Sequence, residues 1–69
     1  MAVHKVIEVL SQSDKGWQDA AQAAVTEASE TVKGIKSIYI EEFQGVVENN
    51  KITQYRVNAK ITFAVGDNR

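Results

Sequence analysis

The sequence predicts an α+β protein of order β-α-β-β, with a three-stranded antiparallel sheet partly wrapped around one amphipathic helix. Three observations carry that expectation. The last third of the chain alternates apolar and polar residues almost without a break. Asn49-Asn50 sits between two strand-like runs, and an alanine-rich stripe at helical spacing precedes both.

Val3 to Leu10 reads as the first strand. Val6, Ile7, Val9 and Leu10 favour extended backbone and are interrupted only by Lys5 and Glu8. Ser11-Gln12-Ser13-Asp14 is expected to end it, with Ser13 as helix N-cap and Asp14 where a carboxylate favours the helix dipole. Trp17, Ala20, Ala21, Ala24, Val25, Ala28 and Val32 then recur at spacings of three and four. They form one stripe of a helix of about 19 residues. Lys33 is expected in its last turn and Gly34 at its C′ position. Alanines let a helix lie close to a sheet but bury little area, so Trp17 is expected to anchor the core at the helix start.

The hairpin that follows spans Ile35–Glu48 and Lys51–Val65. Asparagine tolerates positive φ better than other non-glycine residues, so Asn49-Asn50 suits a type I′ turn. Tyr55, Val57, Ala59, Ile61, Phe63 and Val65 point one way; Gln54, Arg56, Asn58, Lys60 and Thr62 point the other. With a two-residue loop, Ile38 faces Ile61 and Ile40 faces Ala59 on the apolar side. On the polar side Ser37 meets Thr62, Tyr39 meets Lys60, Glu41 meets Asn58, and Phe43 meets Arg56, where a cation–π contact is open to it. A one-residue slip would turn the apolar set to solvent, so the register is expected to hold, with Gly45 the natural place for a bulge. Glu41 and Glu42 fall on opposite faces in this register.

Composition bounds the function. At 69 residues the chain makes one domain, residues 1–69, whose core is marginal alone. It contains no cysteine and a single histidine, His4, which excludes disulfides, thiolate metal sites and imidazole clusters. A net charge of −1 with interspersed signs leaves no footprint for nucleic acid or an anionic membrane. No apolar run approaches the ~20 residues of a membrane helix and no signal-peptide pattern opens the chain, so the cytoplasm is the expected location. No nucleophile–base pair, carboxylate dyad or glycine-rich phosphate loop stands out, and an enzyme is not expected. Strands of about 14 residues reach roughly 46 Å, whereas the helix reaches roughly 28 Å. The sheet outruns its cover, and exposed apolar surface on that scale predicts assembly with other copies.

Taken in order, His4-Lys5-Val6-Ile7-Glu8-Val9, the serine-containing break, the alanine-rich helix, Thr31-Val32-Lys33-Gly34-Ile35, Glu41-Glu42-Phe43-Gln44-Gly45-Val46-Val47 and Tyr55-Arg56-Val57-Asn58-Ala59-Lys60-Ile61-Thr62-Phe63 resemble the dodecins. These are small βαββ proteins that assemble as hollow dodecamers and bind flavins. The resemblance implies a homododecameric shell that binds or stores a small ligand, with no nucleic-acid or membrane partner. Its flavin-binding members carry a stacking tryptophan where this chain has Ser37, and a flavin-pairing glutamine where it has Arg56. Some bacterial members have an arginine where it has Gln44. All three ligand positions differ, and Tyr39, on the same face as Ser37, is the ring left to substitute. Serine stacks nothing, and an arginine donates but cannot accept, so it cannot repeat the paired amide of glutamine. The resemblance therefore implies a weakened site for flavin (FMN or riboflavin). A divalent cation such as calcium, a phosphate-bearing ligand, or a purely structural assembly are the alternatives. Glu41 is expected to meet Lys60 or Arg56, in its own chain or a neighbour, because repeated charges need counter-charges.

Overall fold

The computed structural model describes residues 3–65. β1 (Val3–Ser13) leads into α1 (Trp17–Ala28), which is followed by β2 (Ile35–Glu48) and β3 (Lys51–Val65). The sheet order is β1-β3-β2, and β3 is antiparallel to both neighbours. The expected architecture is the one observed. Asn49 and Asn50 both take positive φ, 53° and 64°, as a type I′ turn requires. Val57, Ala59 and Ile61 of β3 are buried beneath Ala20 and Ala24 of α1, and these five are the buried hydrophobic residues among the described ones. The face toward α1 is called inner below, and the opposite face outer.

Three local expectations are corrected. β1 does not stop at Leu10: Ser11, Gln12 and Ser13 continue the ladder opposite Val57, Arg56 and Tyr55. Backbone pairing with a long central strand outweighs their low strand preference. Nor is Ser13 the N-cap. Gly16 holds that position without a side-chain bond, while the Ser13 hydroxyl accepts from the Lys15 amide at 3.0 Å and closes the turn. The helix has 12 residues and ends at Ala28, so Val32 and Lys33 lie beyond it. The Ser29 hydroxyl donates to the Thr26 carbonyl at 2.7 Å, taking the acceptor the Glu30 amide would use in a longer helix, and the Glu30 and Thr31 amides bond instead to the carbonyls of Glu27 and Ala28. Gly34 is left-handed at φ 76° but serves the entry to β2, its carbonyl accepting from the Ala64 amide at 3.0 Å.

The hairpin register holds at Ser37–Thr62, Ile38–Ile61, Tyr39–Lys60 and Ile40–Ala59 and shifts on both sides of that stretch: Lys36 is an extra residue before it, since Ile35 faces Phe63, and a further shift follows Ile40. An extra residue on β2, Glu41, is matched nearer the turn by an extra residue on β3, Thr53. Between these two bulges Glu42 faces Asn58, Phe43 faces Val57, Gln44 faces Arg56 and Gly45 faces Tyr55. The expected Glu41–Asn58 and Phe43–Arg56 pairs therefore do not form, and Gly45 carries no bulge. The shift has a physical return: it turns Phe43 to the inner face, 6.0 Å from the Trp17 ring. Thr53 steadies its own bulge by donating to the Val46 carbonyl at 3.4 Å.

Trp17 sits at the rim of the core rather than inside it. Its indole N–H donates to the Gln44 carbonyl at 2.9 Å, and its ring meets Tyr55 edge-on at 4.8 Å. The indole ties the helix start to the hairpin. The described chain extends 52 Å in its longest direction, whereas twelve helical residues span about 18 Å. The overhang is larger than the sequence implies.

Candidate functional site

The outer face is built in rows across β1, β3 and β2. Going toward the turn, they are Val6–Thr62–Ser37, Glu8–Lys60–Tyr39, Leu10–Asn58–Glu42 and Gln12–Arg56–Gln44. Period-2 alternation brings these residues to one face, and the Glu41 bulge restores β2 to phase with β3.

Two cations stand on this face in different states. The Lys60 ammonium lies 3.5 Å from the Glu41 carboxylate, as expected for one of the two bases. Arg56 instead donates from Nε to Oε1 of Gln12 at 2.7 Å. Among the described residues no carboxylate lies within ion-pair distance of Arg56. A neutral amide thus orients the guanidinium without cancelling its charge, and its planar fork suits a phosphate or carboxylate.

Of the four ligand positions singled out in the sequence, the structure unites Gln44 with Arg56, which pair in register. Ser37 and Tyr39 are neighbours elsewhere on the same face, and the Tyr39 ring is exposed. Their part of the sheet begins at the Thr62 row, six residues from Arg56 and therefore about 20 Å away. Within one chain the four do not converge. Gln12 is the candidate-site residue that sequence reasoning missed, because the strand was ended at Leu10. The signal was present, since Glu8, Leu10 and Gln12 continue one period-2 series.

The bulge also changes the acidic residues. Glu41 reaches Lys60, and Glu42 pairs with Asn58, so both lie on the outer face rather than on opposite ones. Glu8 is opposite Lys60 on the β1 side. Among the described residues no group of three or more His, Cys, Asp or Glu side chains is placed to hold a metal ion. A shallow depression of about 230 Å³ lies along Glu8, Leu10 and Asn58. A second, of about 460 Å³, opens around Gln12, Ser13, Asp14 and Gln54 at the β1–α1 turn. Among the described residues no helix is long and apolar enough to cross a membrane.

An open three-stranded antiparallel sheet with one helix on its inner face defines a small α+β protein of order β-α-β-β. The chain belongs to the dodecin family, whose model matches residues 3–66. It is 36% identical to the calcium dodecin of Mycobacterium tuberculosis over 64 residues, which cover 91% of this chain and 89% of that one. The crystal structure of that calcium dodecin, described as calcium chelating with a novel calcium-binding site, superposes with a TM-score of 0.80 at 27% identity, covering 97% and 96% of the two chains. The dodecin of Streptomyces coelicolor superposes with a TM-score of 0.90 at 25% identity over the same shares.

Proposed function

We propose that this chain is a non-enzymatic, self-assembling shell protein, a homododecamer of the cytoplasm, whose outer sheet face holds a small anionic ligand. The observation that carries the reading is Arg56, oriented by Gln12 and left without a carboxylate partner among the described residues. Phosphate-bearing molecules fit that fork. Flavin fits poorly: Ser37 removes the stacking surface, worth about 1–3 kcal/mol for a base on an aromatic ring, and Arg56 cannot accept a hydrogen bond. Because Ser37 and Arg56 stand about 20 Å apart along the sheet, a ligand using both ends would bridge two copies.

Calcium is the second reading. It is favoured by the similarity to a calcium dodecin and by Glu8, Glu41 and Glu42 sharing the outer face. Since no such group is placed to hold a metal within the described residues, the ion would take carboxylates from more than one copy.

Flavin titration tests the assignment. Riboflavin and FMN fluorescence should be little quenched by micromolar protein, whereas the double variant Ser37→Trp, Arg56→Gln should bind roughly 10–100-fold more tightly. Inorganic phosphate should raise the melting temperature of the unmodified protein and not of Arg56→Gln. Calcium raising it in both would favour the second reading. Nanomolar flavin binding by the unmodified protein would overturn both.

A further inference from the structure

We propose that Trp17, at the inner face, is the positioning residue of the Arg56 site on the outer face, and that its emission reports whether that site is occupied. The inference rests on the anion-binding reading above and says what holds the site's geometry. Arg56 has Gln12 of β1 on one side and Gln44 of β2 on the other, so the site is one row across all three strands.

The indole is tied to every strand of that row. Its N–H donates to the main-chain carbonyl of Gln44 at 2.9 Å, so the residue that faces Arg56 is held through its own backbone. Its ring meets Tyr55, the neighbour of Arg56 in β3, edge-on at 4.8 Å. It also lies 6.0 Å from the ring of Phe43, the neighbour of Gln44 in β2. To β1 it is joined by the short turn after Ser13, which the Ser13 hydroxyl closes by accepting from the Lys15 amide at 3.0 Å. Gln12, which accepts from Arg56, stands directly before that turn.

A clamp is needed there because the row lies in the out-of-phase middle of the hairpin. Between the bulges at Glu41 and Thr53, Gln44 faces Arg56. If the register of Ile40 with Ala59 ran on unbroken, Phe43 would stand there instead. Its ring would then cover the guanidinium in a cation–π contact, on the surface an anion uses. Both bonds of Trp17 to β2 demand the observed register, with Phe43 inward and the Gln44 carbonyl in reach. Glu42 supports the same choice, since the slip would turn its carboxylate inward beside the buried Val57. That penalty selects the register but does not fix where Gln44 sits within it. Holding a binding row to a narrow geometry takes packing and hydrogen bonds from behind, which the indole supplies. Linkage makes the effect mutual: if the indole bond favours the anion-ready geometry, a bound anion favours the indole bond equally.

The chain has one tryptophan, so its emission has a single source. Saturating inorganic phosphate should shift that emission in the unmodified protein and leave it unchanged in Arg56→Gln. Trp17→Phe keeps a ring and loses the bond to Gln44, and its phosphate affinity, followed by phosphorus NMR, should fall about 2–10-fold. Ile61→Val weakens the core away from the Arg56 row and should bind phosphate as the unmodified protein does, which separates positioning from a general loss of stability. An emission that ignores phosphate bound through Arg56, or a Trp17→Phe affinity equal to that of the unmodified protein, overturns this inference and leaves the anion-binding reading standing. An equal loss in Ile61→Val does the same. Phosphate that binds the unmodified protein and Arg56→Gln alike, or neither of them, overturns both.

Discussion

The half of the hairpin that follows Gly34 and the half that ends at Asn49-Asn50 belong to the same two strands, yet they obey different rules. Around Ile38 and Ile40 the strand lies beside the buried Ile61 and Ala59 of β3, and the pairing with them is the simplest the turn allows. Around Phe43 and Val47 the pairing shifts by one residue between bulges at Glu41 and Thr53. Burial on one face is what forbids a slip, so the pairs from Ser37 to Ile40 keep the simple register, although an extra residue at Lys36 shifts it again before Ile35 meets Phe63. The two bulges lie on opposite strands and cancel. The turn and the core can therefore both keep their preferred pairing, while the middle of the hairpin turns Phe43 inward.

The sharpest way to break this contrast is at its buried end. Ile61 is fully buried and central. Ile61→Ala should cost about 2–5 kcal/mol, enough in so small a domain to abolish cooperative unfolding near room temperature. A urea melt indistinguishable from that of the unmodified protein would mean that the closed half is not what holds the fold.

Trp17 stands at the border between the halves, and its variants should be milder. The indole is half-buried, so Trp17→Ala should cost roughly 2 kcal/mol, below the 3–5 kcal/mol typical of a fully buried ring. Trp17→Phe keeps a ring against Tyr55 and loses the bond to the Gln44 carbonyl, which should cost about 0.5–1 kcal/mol. Denaturant midpoints rank the three proteins. Equal midpoints for Trp17→Phe and Trp17→Ala would show that the ring contact contributes nothing.

The same contrast explains what could be read in advance. Strands, turn and both sheet faces were legible because period-2 alternation and Asn49-Asn50 act locally. The pairs from Ser37 to Ile40 were legible because burial enforces them. The inward face of Phe43 was not, since it depends on two bulges that leave no local mark: neither Glu41 nor Thr53 is a residue type that announces one. The helix was read too long because Val32 continues the stripe, while the Ser29 hydroxyl takes the Thr26 carbonyl and the backbone after it tightens to three-residue bonds. At the candidate site, residue types pointed to Ser37, Tyr39, Gln44 and Arg56, and all of them sit on the strands foreseen. That Gln12 holds Arg56 was hidden, because it needed the last residues of β1 to stay in the sheet.

The smallest expected effect tests how the charges of the outer face are wired. The sequence suggested that Glu41 would answer either Lys60 or Arg56, and the structure separates the two bases. Lys60 meets Glu41 at 3.5 Å with both side chains well exposed, 41% and 37%, whereas Arg56 is bonded to Gln12. Exposed pairs of this kind contribute about 0.2–1 kcal/mol and are weakened by salt. Lys60 and Arg56 are four residues apart on one strand, about 13 Å. Side chains that far apart without a shared partner act independently. A double-mutant cycle on Glu41→Ala and Lys60→Ala should therefore return a coupling of about 0.5 kcal/mol that fades in 1 M salt. The cycle on Glu41→Ala and Arg56→Ala should return a sum, within about 0.3 kcal/mol. A larger coupling in the second cycle, at protein concentrations where the assembly is intact, would mean that Glu41 of one copy reaches Arg56 of another. The two charges would then meet across the interface and not within the chain.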